Sequence, residues 1–187
     1  MNLQKMFEMQ KALDERIIKE KGLEGQDLLP NLILALQVEL AECANEWRGF
    51  KHWSNDREPR ICVIDKKGQT AKEYYKNPLL EEYVDCLHFI LSIGNRIGFN
   101  NDATIQQIIK RSKEREVETN IGIGKAFSHL MSLVFGFYFS IEDEGTYVRS
   151  FERFLNLGKL LGFTPEQIEA AYMEKNAVNH QRQEEGY

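Results

Sequence analysis

Glu39-Leu40-Ala41-Glu42 and Glu82-Tyr83-Val84-Asp85-Cys86-Leu87-His88-Phe89 are the two stretches around which this chain is organised. Each sets an acid pair at i, i+3 inside an apolar, helix-periodic segment, which puts both carboxylates on one helix face a turn apart. In the first, Leu36, Leu40, Cys43 and Trp47 form an apolar stripe with Glu39, Glu42 and Glu46 as a ridge beside it. In the second, the stripe is Tyr83, Leu87 and Ile90, flanked by Glu82, Asp85 and Phe89. Packed stripe to stripe, the two helices turn their acidic ridges toward one another. Two like charges about 5 Å apart repel by roughly 3 kcal/mol at an effective dielectric near 20. Four carboxylates therefore need a counter-charge, and a hard divalent cation with an all-oxygen shell, such as Mg²⁺, supplies it. One acid pair alone reads as solvated surface; two, each bordering a buried stripe, point to a metal.

Length and composition narrow the setting. A chain of 187 residues is long enough for one domain with a sizeable core. It is 42% hydrophobic and 28% charged, the make-up of an ordinary globular protein. A net charge of −5 argues against direct nucleic-acid binding. Three cysteines with no paired spacing make neither a disulfide framework nor a zinc site, and Cys43 and Cys86 read as small core residues. Residues 1–21 carry charge throughout, so no signal peptide is expected, and the most apolar run, residues 130–139, is too short to span a bilayer. A cytoplasmic location is expected (host cytoplasm if virus-encoded).

Outward from the acid pairs, the rest of the chain reads as helices. Residues 2–20 carry the stripe Leu3, Met6, Phe7, Gln10, Leu13, Asp14 and Ile17, in which Gln10 and Asp14 stand where apolar residues belong. A buried amide or carboxylate needs hydrogen-bond partners. These come from a neighbouring helix or from a ligand, and an amide is the kind of group that reads a nucleobase edge. The next helix starts at Asp27-Leu28-Leu29-Pro30 and ends at Arg48–Gly49. After it, Phe50-Lys51-His52-Trp53-Ser54 interleaves aromatics with a cation, fit either to plug the bundle or to lie against a base with Lys51 near phosphate. Residues 55–77 are polar, with one β-like run at 60–65 and a Lys66-Lys67-Gly68 turn signal. They read as an insertion or small hairpin between two core helices, a lid, a dimer contact or a docking surface for a protein partner. A helix covers residues 78–98, with His88 bordering its acidic flank. Residues 101–116 give a short helix whose charged end, Lys110 to Arg115, is a solvated face.

Residues 122–140 are apolar nearly all round, including Phe127, Leu130, Met131, Leu133, Val134, Phe135, Phe137, Tyr138 and Phe139. Such a helix is expected at the centre of the bundle or beneath a second subunit. Residues 144–162 are amphipathic, with Phe151, Phe154, Leu155 and Leu161. The last helix opens with the capping-box sequence Thr164-Pro165-Glu166-Gln167. Its stripe starts as Ile168 and Tyr172, then continues on the same face as Lys175, Asn179 and Arg182. That face aims two cations and an amide at whatever the bundle encloses, unless the C-terminus frays; Arg and Lys suit phosphate oxygens. No Gly-rich phosphate loop, Gly-x-Ser-x-Gly elbow or His-Glu-x-x-His motif occurs. An all-helical bundle with converging carboxylates, amides, aromatics and cations suits metal-dependent attack of water on a phosphate anhydride.

At these residues the chain resembles the dimeric, all-α dUTPases, relatives of the MazG-like nucleoside triphosphate pyrophosphatases. The resemblance rests on Met9-Gln10 with Leu13-Asp14, Glu39-x-x-Glu42 followed by Phe50-Lys51-His52-Trp53, Glu82-x-x-Asp85-x-x-His88-Phe89, and Lys175-Asn176-x-x-Asn179-x-x-Arg182-Gln183. It implies that Glu39, Glu42, Glu82 and Asp85 bind Mg²⁺ and that Glu39 orients the attacking water. Gln10, Asp14 and Trp53 would lie at the nucleotide, with Gln10 and Trp53 on uracil. His88, Phe89 and Asn179 would surround the deoxyribose, and Lys51, Lys175 and Arg182 would hold phosphates. It further implies attack at the α-phosphorus of dUTP, with dUDP a possible second substrate, and a site formed in a homodimer. Residues 55–77 are longer than in compact members. Two other readings stand beside it: a related pyrophosphatase acting on dCTP or another dNTP, and a helical partner-binding protein using residues 55–77. A carboxylate-bridged di-iron bundle would need two Glu-x-x-His motifs, and none occurs.

Overall fold

A computed structural model describes residues 1–68, 70, 74–114, 122–137, 139–140 and 143–186, and among these described residues are seven helices and one two-stranded ribbon. The fold is all-α. In chain order the helices are α1 (Leu3–Glu20), α2 (Leu29–Trp47), α3 (Pro78–Ile97), α4 (Asp102–Glu114), α5 (Ile123–Phe137), α6 (Glu144–Leu160) and α7 (Pro165–Glu184). Between α2 and α3, β1 (Val63–Ile64) pairs antiparallel with β2 (Tyr75–Lys76), Val63 opposite Lys76. Tyr138 and Arg115, both named above, lie outside the described residues.

Local chemistry sets the helix ends. The Asn2 side chain caps α1 by accepting from the Lys5 amide at 3.1 Å, and Asn77 caps α3 from Leu80 in the same way. At α7 both halves of the capping box form: the Gln167 amide donates to Thr164 Oγ1 at 3.2 Å, and the Thr164 amide to Gln167 Oε1 at 2.9 Å. Helix α2 ends on Arg48 at φ +63°, a left-handed conformation that costs a non-glycine residue about 1–2 kcal/mol. Arg48 offsets that cost by gripping the following loop: it donates to the Asp56 carbonyl and pairs with Asp56 Oδ2 at 2.9 Å. Arg60 reaches back to Glu46 at 3.2 Å, so the third acid of the α2 ridge holds the ribbon segment rather than joining the cluster.

The helix buried nearly all round is α3, not the one at 122–140. Leu79, Tyr83, Val84, Cys86, Leu87, Ile90, Leu91 and Ile93 are all buried on it, and it packs against α1, α2, α6 and α7. Helix α5 instead buries one face, Phe127, Leu130, Val134 and Phe137, against α2 and α6. Its Phe135 is 60% exposed, and Phe139 beyond its end is 74% exposed. A central place is thus corrected: all-round apolarity made α5 look central, but α3 already fills the middle. Close approach marks the core of α3. A Cβ on Gly94 would collide with the Tyr147 hydroxyl, which donates to the Ile90 carbonyl at 2.9 Å. No described helix is long and apolar enough to cross a membrane.

Candidate functional site

The α2–α3 packing does turn the two ridges together. Carboxylate oxygens of Glu39, Glu42 and Glu82 lie within 4.8 Å of one another. Glu39 and Glu82 are partly buried while Glu42 is open to solvent. Burial first, then the neighbouring Asp85 carboxylate, pushes the Glu39 and Glu82 pKa values up to about 7. Asp85 is turned to α7, where the Lys175 ammonium sits 2.5 Å from its Oδ2. One lysine among four acids leaves a surplus of negative charge, which adds to burial in raising the two pKa values. Three converging carboxylates with no sulfur or nitrogen donor are the set a hard divalent cation takes, so the residues present fit Mg²⁺.

Beside the cluster opens a cavity of about 470 Å³, with Glu39 and Asp85 at its junction with the acids. Gln10 and Asp14 from α1, His88, Phe89 and Ser92 from α3, and Lys175, Asn179 and Arg182 from α7 line it. The α7 stripe works as its pattern promised: Ile168 and Tyr172 are buried against the bundle, and the next turns carry their polar groups to the cavity wall. Lys51 and Trp53 are elsewhere. Trp53 is 68% exposed, in edge contact with Phe50 and His52 on the loop after α2. From Glu39 the cavity extends toward Leu32 and Leu28, whereas Trp47 lies about 12 Å beyond Glu39 in the opposite direction along the helix. One chain therefore does not bring Trp53 to its own cavity.

Gln10 departs from its expected part. It is 3% exposed, and both ends of its amide are taken by protein: Nε2 by Asp14 and Ser92, Oε1 by His88 and the Tyr172 hydroxyl. As placed, it has no hydrogen-bonding position left for a base edge. Ser92 was missed by the sequence reading, since a lone serine on a buried helix carries no pattern; its signal is spatial. His88 is likewise buried, and burial, with the Lys175 charge behind it, pushes its pKa down to about 3. The ring is neutral and stacks on Tyr172 with centroids 4.5 Å apart.

The dUTPase family profile matches residues 2–187, almost the entire chain, and the chain belongs to that family. A comparison with curated proteins found no match. With the family come a nucleotide substrate and hydrolysis of dUTP, in a family whose members generally depend on a divalent metal.

Proposed function

We propose, from this family membership and the geometry of the acid cluster, that the chain is a Mg²⁺-dependent dUTP diphosphatase of the cytoplasm. It releases dUMP and pyrophosphate by attack of water at the α-phosphorus, with dUDP a lesser substrate. The observation that carries the reading is the meeting of three carboxylates from α2 and α3 beside a cavity whose lining includes Lys175 and Arg182.

Glu39, Glu42, Glu82 and Asp85 would hold magnesium, which when bound neutralises charge on the triphosphate and makes its phosphorus a better electrophile. Glu39 belongs both to the carboxylate cluster and to the cavity wall, so it orients the attacking water and takes its proton at a carboxylate oxygen. Lys175 shifts between Asp85 and the phosphates, and Arg182 holds the phosphate tail. His88, Phe89 and Asn179 enclose the deoxyribose, and the pocket around Asp14 takes the base. The Asp14 carboxyl is itself pushed up to about 6 by burial, against the hydrogen bonds from Gln10 and Ser92 that pull it down.

The proposal includes a second copy of the chain. Leu34 and Val38, one turn apart on α2, are 61% and 46% exposed, and Phe135 on the adjoining α5 is 60% exposed, which offers a second copy apolar side chains to cover. An antiparallel pairing there runs the partner's α2 toward this cavity, so that the partner's Trp53 stacks on the base and Lys51 follows it to phosphate. The β1–β2 ribbon stays outside this scheme, available for a protein partner.

The deciding experiment offers dUTP, dCTP, dTTP and UTP at equal concentration with MgCl₂ in ¹⁸O-labelled water. The expected result is hydrolysis of dUTP above the others, with the label in dUMP. Preference for dCTP or a ribonucleotide overturns the substrate; label in pyrophosphate overturns the site of attack.

A further inference from the structure

Four side chains in the inner wall of the cavity, Gln10, Asp14, His88 and Ser92, join the buried Tyr172 in a hydrogen-bond circuit whose direction can be deduced. A carboxylate only accepts. One amide atom of Gln10 lies 2.9 Å from Asp14 Oδ1 and 3.0 Å from Ser92 Oγ, and Ser92 Oγ lies 2.9 Å from the same Asp14 oxygen. Ser92 has one hydroxyl proton, and the carboxylate takes it, so Ser92 accepts from Gln10. The Gln10 atom facing these two acceptors is therefore the nitrogen, with both hydrogens engaged. Its oxygen points the other way, 2.6 Å from His88 Nδ1 and 3.1 Å from the Tyr172 hydroxyl. An amide oxygen only accepts, so the imidazole proton resides on Nδ1. Nε2 is left as a bare lone pair, buried and without a protein partner, on a residue that lines the cavity.

We propose that Asp14 and Ser92 are positioning residues: acting through Gln10, they lock His88 as its Nδ1–H tautomer, so that Nε2 faces the nucleotide as an acceptor and nothing else. The lock matters because a ring that flips tautomer would present N–H at Nε2, which repels the imide N3–H of uracil and turns a 3′-hydroxyl from donor into acceptor. The matching donor on a deoxynucleotide is the 3′-hydroxyl or the imide N3–H of uracil; cytosine carries an acceptor at N3. The identity of the ligand rests on the function proposed above, whereas the tautomer does not.

The full chain with ¹⁵N-labelled histidine and MgCl₂ is read by long-range ¹H–¹⁵N correlation. The expected parent spectrum shows His88 protonated at Nδ1 alone. Asp14→Asn brings in a side chain that can donate as well as accept, so Gln10 can turn over and both His88 tautomers appear. A parent ring protonated at Nε2, or a folded Asp14→Asn protein with an unchanged single tautomer, overturns the lock, whether or not the protein cleaves dUTP. If Asp14→Asn does not fold, the parent spectrum and Ser92→Ala decide. Ser92→Ala is expected to raise KM for dUTP about fivefold with kcat nearly unchanged; an unchanged KM overturns the role of Ser92. Repeating that comparison with 2′,3′-dideoxyuridine triphosphate assigns the donor. Loss of the KM difference identifies the 3′-hydroxyl, while its persistence with a narrowed dUTP-over-dCTP preference identifies N3–H. Persistence without that narrowing overturns the acceptor role.

Discussion

Replacing Glu82 by Gln removes one charge from a cluster that repels itself when no metal is present. In the folded chain Glu82 is raised from 4.5 to about 7. A raised carboxyl pKa means that the folded state holds its proton more tightly than the unfolded chain. The ionised group therefore costs stability above pH 7, and the cost fades as pH falls toward 4.5. Taken at face value, that rise would correspond to about 3 kcal/mol. Burial is the larger cause and repulsion from Asp85 and Glu39 the next, and because Glu82 is partly solvated and shares that repulsion, about 1–2 kcal/mol is a better figure. For a chain of this length that is a rise in Tm of about 3–6 °C. The assay is thermal unfolding in EDTA at pH 8 and pH 4.5, then with MgCl₂ at pH 8. Glu82→Gln should melt above the parent in EDTA at pH 8, match it near pH 4.5, and gain less than the parent from magnesium. A variant less stable than the parent in EDTA at pH 8 would refute the idea that the ridges meet as a strained, charge-rich cluster.

The remaining expectations are simpler. Glu42→Gln should abolish dUTP hydrolysis while leaving the far-UV spectrum unchanged, since Glu42 is exposed and supports no packing; a fully active variant would show that it is not a required ligand. Gly94→Ala forces a methyl into the Tyr147 hydroxyl and the Phe7 ring and should cost about 1–3 kcal/mol, read by urea denaturation. Leu34→Lys with Phe135→Lys should shift the protein to a monomer in sedimentation and cut activity by weakening Trp53 delivery; an unchanged oligomer would move the interface elsewhere. Lys175→Met strips Asp85 of its 2.5 Å partner and should raise KM for dUTP at least tenfold, measured by pyrophosphate release.

Much of this protein was legible from one chain of letters because helices encode their faces by period. The i, i+3 acid pairs, the stripes beside them, the capping box at Thr164 and the polar continuation of the α7 stripe are all local, and each is found in the structure on the face its spacing dictated. What period does not encode is which apolar helix goes to the middle. Residues 122–140 are more uniformly apolar than α3, yet α3 is the one surrounded, because centrality depends on how many neighbours a helix meets and not on its own composition. Nor does period say where a polar group finds its partners. Gln10 was visible as an anomaly in a stripe; only the approach of α3 and α7, bringing Ser92, His88 and Tyr172 to it, decided that its amide is consumed by the protein. Trp53 follows the same rule. Its letters mark it as an exposed aromatic beside a cation, and the direction of α2 alone sends it away from the cavity of its own chain.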